Sequence, residues 1–502
     1  MRSATTDLAP ASPSFRLAAV AVLLAVITAG AAVASNGHPL AAVLPAVVVL
    51  GAVGLWRLPL RLTAPAVLFV TLLAHNPGGR PMMDTWKGPL YYLGQGLYDN
   101  LRLHTGIDFL RFNALELLFA SLGVVALMRV LTGDDRDQLR GLETSMPVKV
   151  ALLASFGTVL FLAAWGLVRG GDFRQLLWQA RMLFWMPVVA AILLVALRTP
   201  ADYQRVGRVI VGAAVLRALE GLWFCATVMW PQHLDLAYIL THEDSSLFAV
   251  ALTILGVAVL ERPGKRTVLT ALATSPLIIW AMLENGRRLA YVILAYVAMA
   301  VLLFVGPPIR RGLAKIALVL SPLLVGYVVA GWGSTERVFA PINALRSVDD
   351  DANASNQTRD IENYNLVHTL LESPVIGSGF GHAYDEVWKG PSIERFMENY
   401  KFIAHNSVLW LWSLGGLVGF TLLWMPIGVT MFLARRGYRA TGDPTERVAI
   451  LAAVAAVVAY VAQAYGDMGA VGWTTTLQLA AGVAVVATIA ARNGLLTRPI
   501  AR

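Results

Sequence analysis

The stretch HNSVLWLWSLGGLVGFTLLWMPIGVTMFL, residues 405–433, opens on a histidine and an asparagine and then runs to Leu433 without one Asp, Glu, Lys or Arg. A run this long and this apolar exceeds the about 20 residues that a transmembrane helix needs. Immediately before it lies the opposite kind of sequence. From Gly333 to Ala404 the chain is polar and carries Arg337, Arg346, Arg359, Lys389, Arg395 and Lys401 beside Asp349, Asp350, Asp351 and several glutamates. At about seventy residues this segment is far longer than a connection between two helices requires, so it reads as a folded cap held against a bilayer.

Working outward, the same contrast recurs along the chain. Apolar residues make up 57% and charged residues 14% of the sequence, the mean hydropathy is +0.63, and runs of about twenty apolar residues repeat from end to end. The fold class predicted is an all-α polytopic membrane protein of about fourteen transmembrane helices. The spans fall near 17–34, 40–56, 62–74, 112–128, 150–168, 176–197, 207–230, 246–260, 268–284, 289–305, 316–332, 406–433, 448–463 and 473–491. Three parts follow: 1–333 with helices one to eleven and an outward loop at 75–111, the large outward loop 334–405, and 406–502 with the last three helices. The span at 62–74 is too short to cross unaided and contains Pro65.

Basic residues gather in every second connection, for example Arg57 and Arg61, then Arg262, Lys265 and Arg266, then Arg435, Arg436 and Arg439. The positive-inside rule places those connections and both termini in the cytoplasm. The formal net charge of +9 is then mostly topological, and it argues against nucleic-acid binding, which wants one concentrated soluble basic face. The first run, with Arg2, Arg16 and Ala32-Val33-Ala34 before Ser35, satisfies a cleavable signal as well as a retained helix, and a retained helix is the reading adopted. The single cysteine, Cys225, excludes an internal disulfide.

With this topology all eight histidines fall on the outward side or its boundary. Glu284-Asn285-Gly286-Arg287-Arg288 is a tight outward connection that holds two guanidinium groups at the lipid edge, and Arg181 points the same way from its own helix. Charged groups at that depth are costly unless paired or hydrated. They either snorkel to headgroups or bind phosphates, which a guanidinium matches with paired donors; a lipid-linked diphosphate would sit at that level. Asn356-Gln357-Thr358-Arg359-Asp360 reads as a helix start with Thr358 as its cap, running to about Leu371. After Pro374, the spacing Gly377-Ser378-Gly379-Phe380-Gly381 predicts a sharp backbone turn. It is no nucleotide site, since it lacks a preceding strand and a P-loop lysine. A second amphipathic segment, 392–402, delivers the chain to His405, which is either an interfacial histidine or a general base able to take a proton from a sugar hydroxyl near neutral pH.

Weaker candidates complete the outward set. His242-Glu243-Asp244-Ser245 reads as an acceptor-binding or metal site or as loop capping, the reading adopted, while Glu116 and Asp467 are placed to line a cavity. Arg217 and Glu220, three apart on one helix, are expected to pair within the membrane.

Taken together, Arg287-Arg288-Leu289-Ala290, Arg359 with its apolar helix, Pro374-Val375-Ile376-Gly377-Ser378-Gly379-Phe380-Gly381, His405-Asn406-Ser407 and Gly415-Gly416-Leu417-Val418-Gly419 resemble the O-antigen ligase and O-antigen polymerase superfamily. The resemblance is specific from about Leu283 to Phe420. It implies an inverting membrane glycosyltransferase with a GT-C-like fold in the cytoplasmic membrane, needing no metal or other cofactor. The implied donor is an undecaprenyl-diphosphate-linked glycan and the acceptor a glycan or lipid-linked sugar on the outer face, with membrane lipids as surroundings and no nucleic acid. His405 corresponds to the family's catalytic histidine, with Asn406 beside it. Arg288 or its neighbour Arg287 corresponds to the arginine facing the diphosphate, Arg181 to a second such arginine, and Arg359 to the loop arginine. The competing class is a lipid-linked oligosaccharide flippase or polysaccharide exporter, which should show repeated halves and midplane polar groups; the sequence has no visible repeat.

Overall fold

The computed structural model describes residues 13–74, 86–108, 110–132, 146–236, 238–346, 354–390 and 399–495. His75, Arg395, Asp349, Asp350, Asp351 and most of the amphipathic segment 392–402 lie outside them. No β-strand occurs among the described residues, only one bridge between Asn100 and Asn113. In chain order the helices are α1 (Pro13–Ala34), α2 (Pro39–Arg57), α3 (Leu60–Leu73), α4 (Pro89–Tyr98), α5 (Leu101–Thr105), α6 (Ala114–Thr132), α7 (Met146–Val168), α8 (Phe173–Ala196) and α9 (Pro200–Phe224). They continue as α10 (His242–Glu261), α11 (Lys265–Asn285), α12 (Arg288–Phe304), α13 (Pro307–Gly331), α14 (Ala340–Arg346), α15 (Ala354–Glu372), α16 (Ser407–Ala440), α17 (Pro444–Gly466) and α18 (Trp473–Arg492).

Eleven described helices are long and apolar enough to cross a membrane, and three shorter apolar ones coincide with the predicted spans at 17–34, 62–74 and 289–305. The protein is thus an all-α polytopic membrane protein. The doubt over 62–74 has a physical basis: α3 has 14 residues, about 21 Å at 1.5 Å per residue, against a hydrocarbon core of about 30 Å.

Burial sorts the helices. In α18, 83% of the spanning window is buried, in α8 72% and in α17 67%, against 6% in α2 and none in α13. The first three form the centre and the last two lie at the periphery. Small residues make the centre possible, because helices in lipid associate by close packing rather than by the hydrophobic effect. A Cβ on Gly482 of α18 would lie 3.3 Å from the Ala453 carbonyl oxygen of α17, so the two backbones nearly touch there.

One expectation is extended and one corrected. Arg217 of α9 pairs with Glu220 as expected, Nη1 lying 3.7 Å from Oε2, but its closer partner is Asp244 of α10, to which Nε and Nη2 donate at 2.7 and 2.6 Å. Both partners are buried, and a two-bond guanidinium–carboxylate pair offsets a cost that three-residue spacing on one helix only partly meets. Thr358 is not a cap. The outward helix α15 begins at Ala354, so Thr358 lies in its second turn; it ends at Glu372, just ahead of Pro374, as the X-Pro restriction requires.

The Gly-x-Gly-x-Gly turn fastens the polar segment to the membrane bundle. Helix α16 breaks at Gly416 (φ 57°, ψ −168°), which frees carbonyls before the break and N–H groups after it. The turn takes up both sets. Gly379 N donates to Leu414 O at 2.9 Å, and Leu417 N and Val418 N donate to Pro374 O and Val375 O at 2.8 and 3.1 Å. On the other flank Phe380 N donates to Leu162 O of α7 at 3.0 Å, and Asp172 N to Gly381 O at 2.9 Å. Backbone polar groups at this depth need partners, and here each element supplies what the other lacks.

Candidate active site

His405 ends the polar segment one residue before Asn406, which caps α16 by accepting from Leu409 N at 3.2 Å. The approach is fixed from inside the bundle by Gln179 of α8, which is fully buried. Its Nε2 donates to the carbonyls of Phe402 (2.6 Å) and His382 (3.0 Å), and its Oε1 accepts from Gly381 N at 2.6 Å. Trp410 Nε1 adds a bond to Phe402 O at 2.8 Å. One buried amide thereby ties the glycine turn to the residues that present the histidine, a link that no local sequence signal announced.

The partner of His405 was also missed. Glu362, in the third turn of α15 and 4% exposed, accepts from the His405 backbone N at 2.9 Å, and its two oxygens lie 3.3 and 3.2 Å from Nδ1. An ionised carboxylate only accepts, so the ring proton belongs on Nδ1 and the lone pair on Nε2. Burial pushes the imidazole pKa down, but the hydrogen bond and charge of Glu362, aided by Asp467 and opposed by Arg359, outweigh it and the net direction is up.

Beside this pair lies a cavity of about 230 Å³ lined by Asn356, Arg359, Asp360, Glu362, Asn363, His405, Asn406, Tyr465 and Gly466. Asn356, Arg359, Asp360 and Asn363 share one face of α15 by their i, i+3, i+4, i+7 spacing, and Asn406 Nδ2 donates to Asn363 Oδ1 at 3.0 Å. The Arg359 Nε is buried and has no protein partner among the described residues. The opposite wall comes from the loop after α17, where Met468 N donates to the His405 carbonyl at 2.7 Å.

Along the same loop, Asp467 Oδ2 lies 3.1 Å from His242 Nδ1, and Arg287 Nη1 lies 2.7 Å from His242 Nε2. Arg287 stacks on Tyr238, 3.4 Å from guanidinium to ring centroid. His242, Arg287 and Asp467 are therefore one cluster, and Asp467 and Arg359 act electrostatically on His242 and His405 alike. Arg288 opens α12; it and Arg287 are both half-buried, and neither is among the residues lining the 230 Å³ cavity.

The remaining candidates are placed elsewhere. Arg181 faces α6, where its Nε lies 3.0 Å from Glu116 Oε1, and that carboxylate also accepts from Trp185 Nε1 (3.0 Å) and Asn113 N (2.9 Å). Glu243 Oε2 accepts from Thr474 N at 2.7 Å, capping the first turn of α18. Neither Glu116, Arg181 nor Glu243 lines the cavity. No cluster of three or more His, Cys, Asp or Glu side chains suited to a metal occurs among the described residues.

No curated protein matches the chain. The family model described as O-antigen ligase matches residues 273–424, from within α11 to just beyond the break in α16. That segment contains Arg287, the cavity face of α15, the glycine turn and His405. Over residues 273–424 the chain is similar to the O-antigen ligase family.

Proposed function

We propose that this protein is an inverting glycosyltransferase that moves a glycan from an undecaprenyl-diphosphate-linked donor to a sugar hydroxyl, as a polysaccharide polymerase or ligase. The observation that carries the reading is the His405–Glu362 pair opening onto a cavity that also holds Arg359 with an unpartnered buried Nε. His405 Nε2 takes the proton of the acceptor hydroxyl. The hydroxyl oxygen bonds to the donor's anomeric carbon from the side opposite the diphosphate, and the old C–O bond breaks with its electron pair leaving on the diphosphate. Arg359 and Arg287 hold that leaving group, whose charge grows as the bond breaks, so they bind it more tightly in the transition state than before it. Glu362 holds the imidazole in the tautomer that exposes Nε2 and stabilises the imidazolium that forms. Asn406 fixes the chain direction at the cavity mouth, whereas Arg181 and Glu116 serve the packing of α8 on α6.

The alternation of basic connections supports a multi-pass protein of the cytoplasmic membrane, both termini inside and the cavity facing outward. Segment 334–405 is then an outward catalytic cap between the membrane parts 1–333 and 406–502. The test is incubation of the detergent-solubilised protein with a lipid-linked glycan donor and acceptor. Glycan transfer without a bilayer supports the enzyme, while transport activity in vesicles with no transfer in detergent would support a flippase instead.

A further inference from the structure

Arg287 has only donors to offer, and this fixes the state of the residue it meets. Because Arg287 Nη1 lies 2.7 Å from His242 Nε2, that nitrogen must accept, the ring is uncharged, and its single proton sits on Nδ1. Nδ1 faces Asp467 Oδ2 at 3.1 Å, off the N–H axis. On its other sides the guanidinium donates from Nη2 to the Leu240 carbonyl at 3.4 Å and lies over the Tyr238 ring. Its Nε is buried and lacks a protein partner among the described residues. The side chain is thus held on three sides with one buried N–H direction unused.

We infer that His242 is a positioning residue that holds Arg287 for the diphosphate through a neutral acceptor, with the Asp467 carboxylate behind it favouring the proton on Nδ1. The inference rests on the diphosphate reading above. A carboxylate placed directly on Arg287 would hold it as firmly but would cancel its charge, leaving little attraction for a diphosphate. An imidazole holds the guanidinium and leaves the charge in place, and the neutralising carboxylate stands one residue further away. This separates a positioning role from plain packing: packing is served equally by any acceptor, whereas anion binding is not.

The test uses the full-length protein in detergent and farnesyl diphosphate as a short polyprenyl diphosphate probe, its Kd measured by calorimetry beside the unfolding temperature of each variant. His242→Gln, whose amide oxygen still accepts from Arg287, is expected to bind within about threefold of wild type, and His242→Ala about tenfold more weakly, the scale of a hydrogen bond to a charged group. His242→Glu, which pairs with Arg287 directly, is expected to lose about tenfold or more. In the Arg287→Ala background, His242→Ala is expected to change nothing further. Wild-type affinity in His242→Glu, or a full additional loss in the double variant, would overturn the inference. Wild-type affinity in Arg287→Ala alone would instead sink the assignment of Arg287 to the diphosphate, a separate failure.

Discussion

At the residue scale the site is a matter of which charge sits nearest to His405. Glu362 and Asp467 favour its protonated form, Arg359 and burial the neutral one. A general base works only when neutral, so the transfer rate is expected to rise with pH through the His405 pKa and then level. Glu362→Gln removes the groups' largest upward influence, so the rising limb should move to lower pH, while the plateau falls about 10- to 100-fold as the ring loses its orientation. Arg359→Ala should move the limb the other way, to higher pH, and raise the donor KM about tenfold. A pH–rate profile of the three proteins checks both signs at once. His405 and the Arg287-Arg288 pair stood out in the sequence because a histidine and a tight Arg-Arg connection at a polar–apolar boundary are chemically conspicuous, but the sequence did not choose between the two arginines. Glu362 and Gln179 could not, since what makes them partners is the rotation of α15 and α8 about their axes and a chain separation of 43 residues in one case and 202 in the other. Arg181 and Glu116 stood out individually for the same chemical reason, yet the structure joins them to each other.

At the element scale the decisive joint is the glycine turn seated in the break of α16. Gly379 has φ +83°, and a Cβ there would lie 2.5 Å from the Gly166 backbone nitrogen of α7. Gly379→Ala therefore combines left-handed backbone strain with a clash that no flexible side chain can relieve, and a loss of about 3 kcal/mol or more is expected. Thermal unfolding in detergent, beside the yield of monodisperse protein, measures it; an unchanged unfolding temperature would mean that the turn does not carry the cap. The sequence spacing announced a sharp turn. What it enters was not visible, because the receiving groups at Leu162, Gly166 and Leu414 come from two helices on opposite sides of it in the chain. The start of α15 was misplaced by five residues for a local reason: Asn, Thr and Asp look like caps wherever they cluster, and here they are carried within the first two turns.

At the scale of the whole molecule, fourteen apolar segments were legible because length and composition alone decide whether a helix suits a membrane. Their arrangement was not, since helices of similar hydropathy, such as α13 and α17, end up at the periphery of the bundle and mostly buried in it. The small-residue contact between α17 and α18 is the structural centre, so Gly482→Leu is expected to force these helices apart and lower stability by about 2 to 3 kcal/mol, readable as a fall in unfolding temperature. The central claim is that this bundle presents His405 as the base of a glycan transfer. It is tested most directly by the single-turnover transfer rate of His405→Ala with a lipid-linked donor in detergent, against wild type of equal unfolding temperature. A loss of about 10²- to 10⁴-fold is predicted; transfer at the wild-type rate would contradict the account.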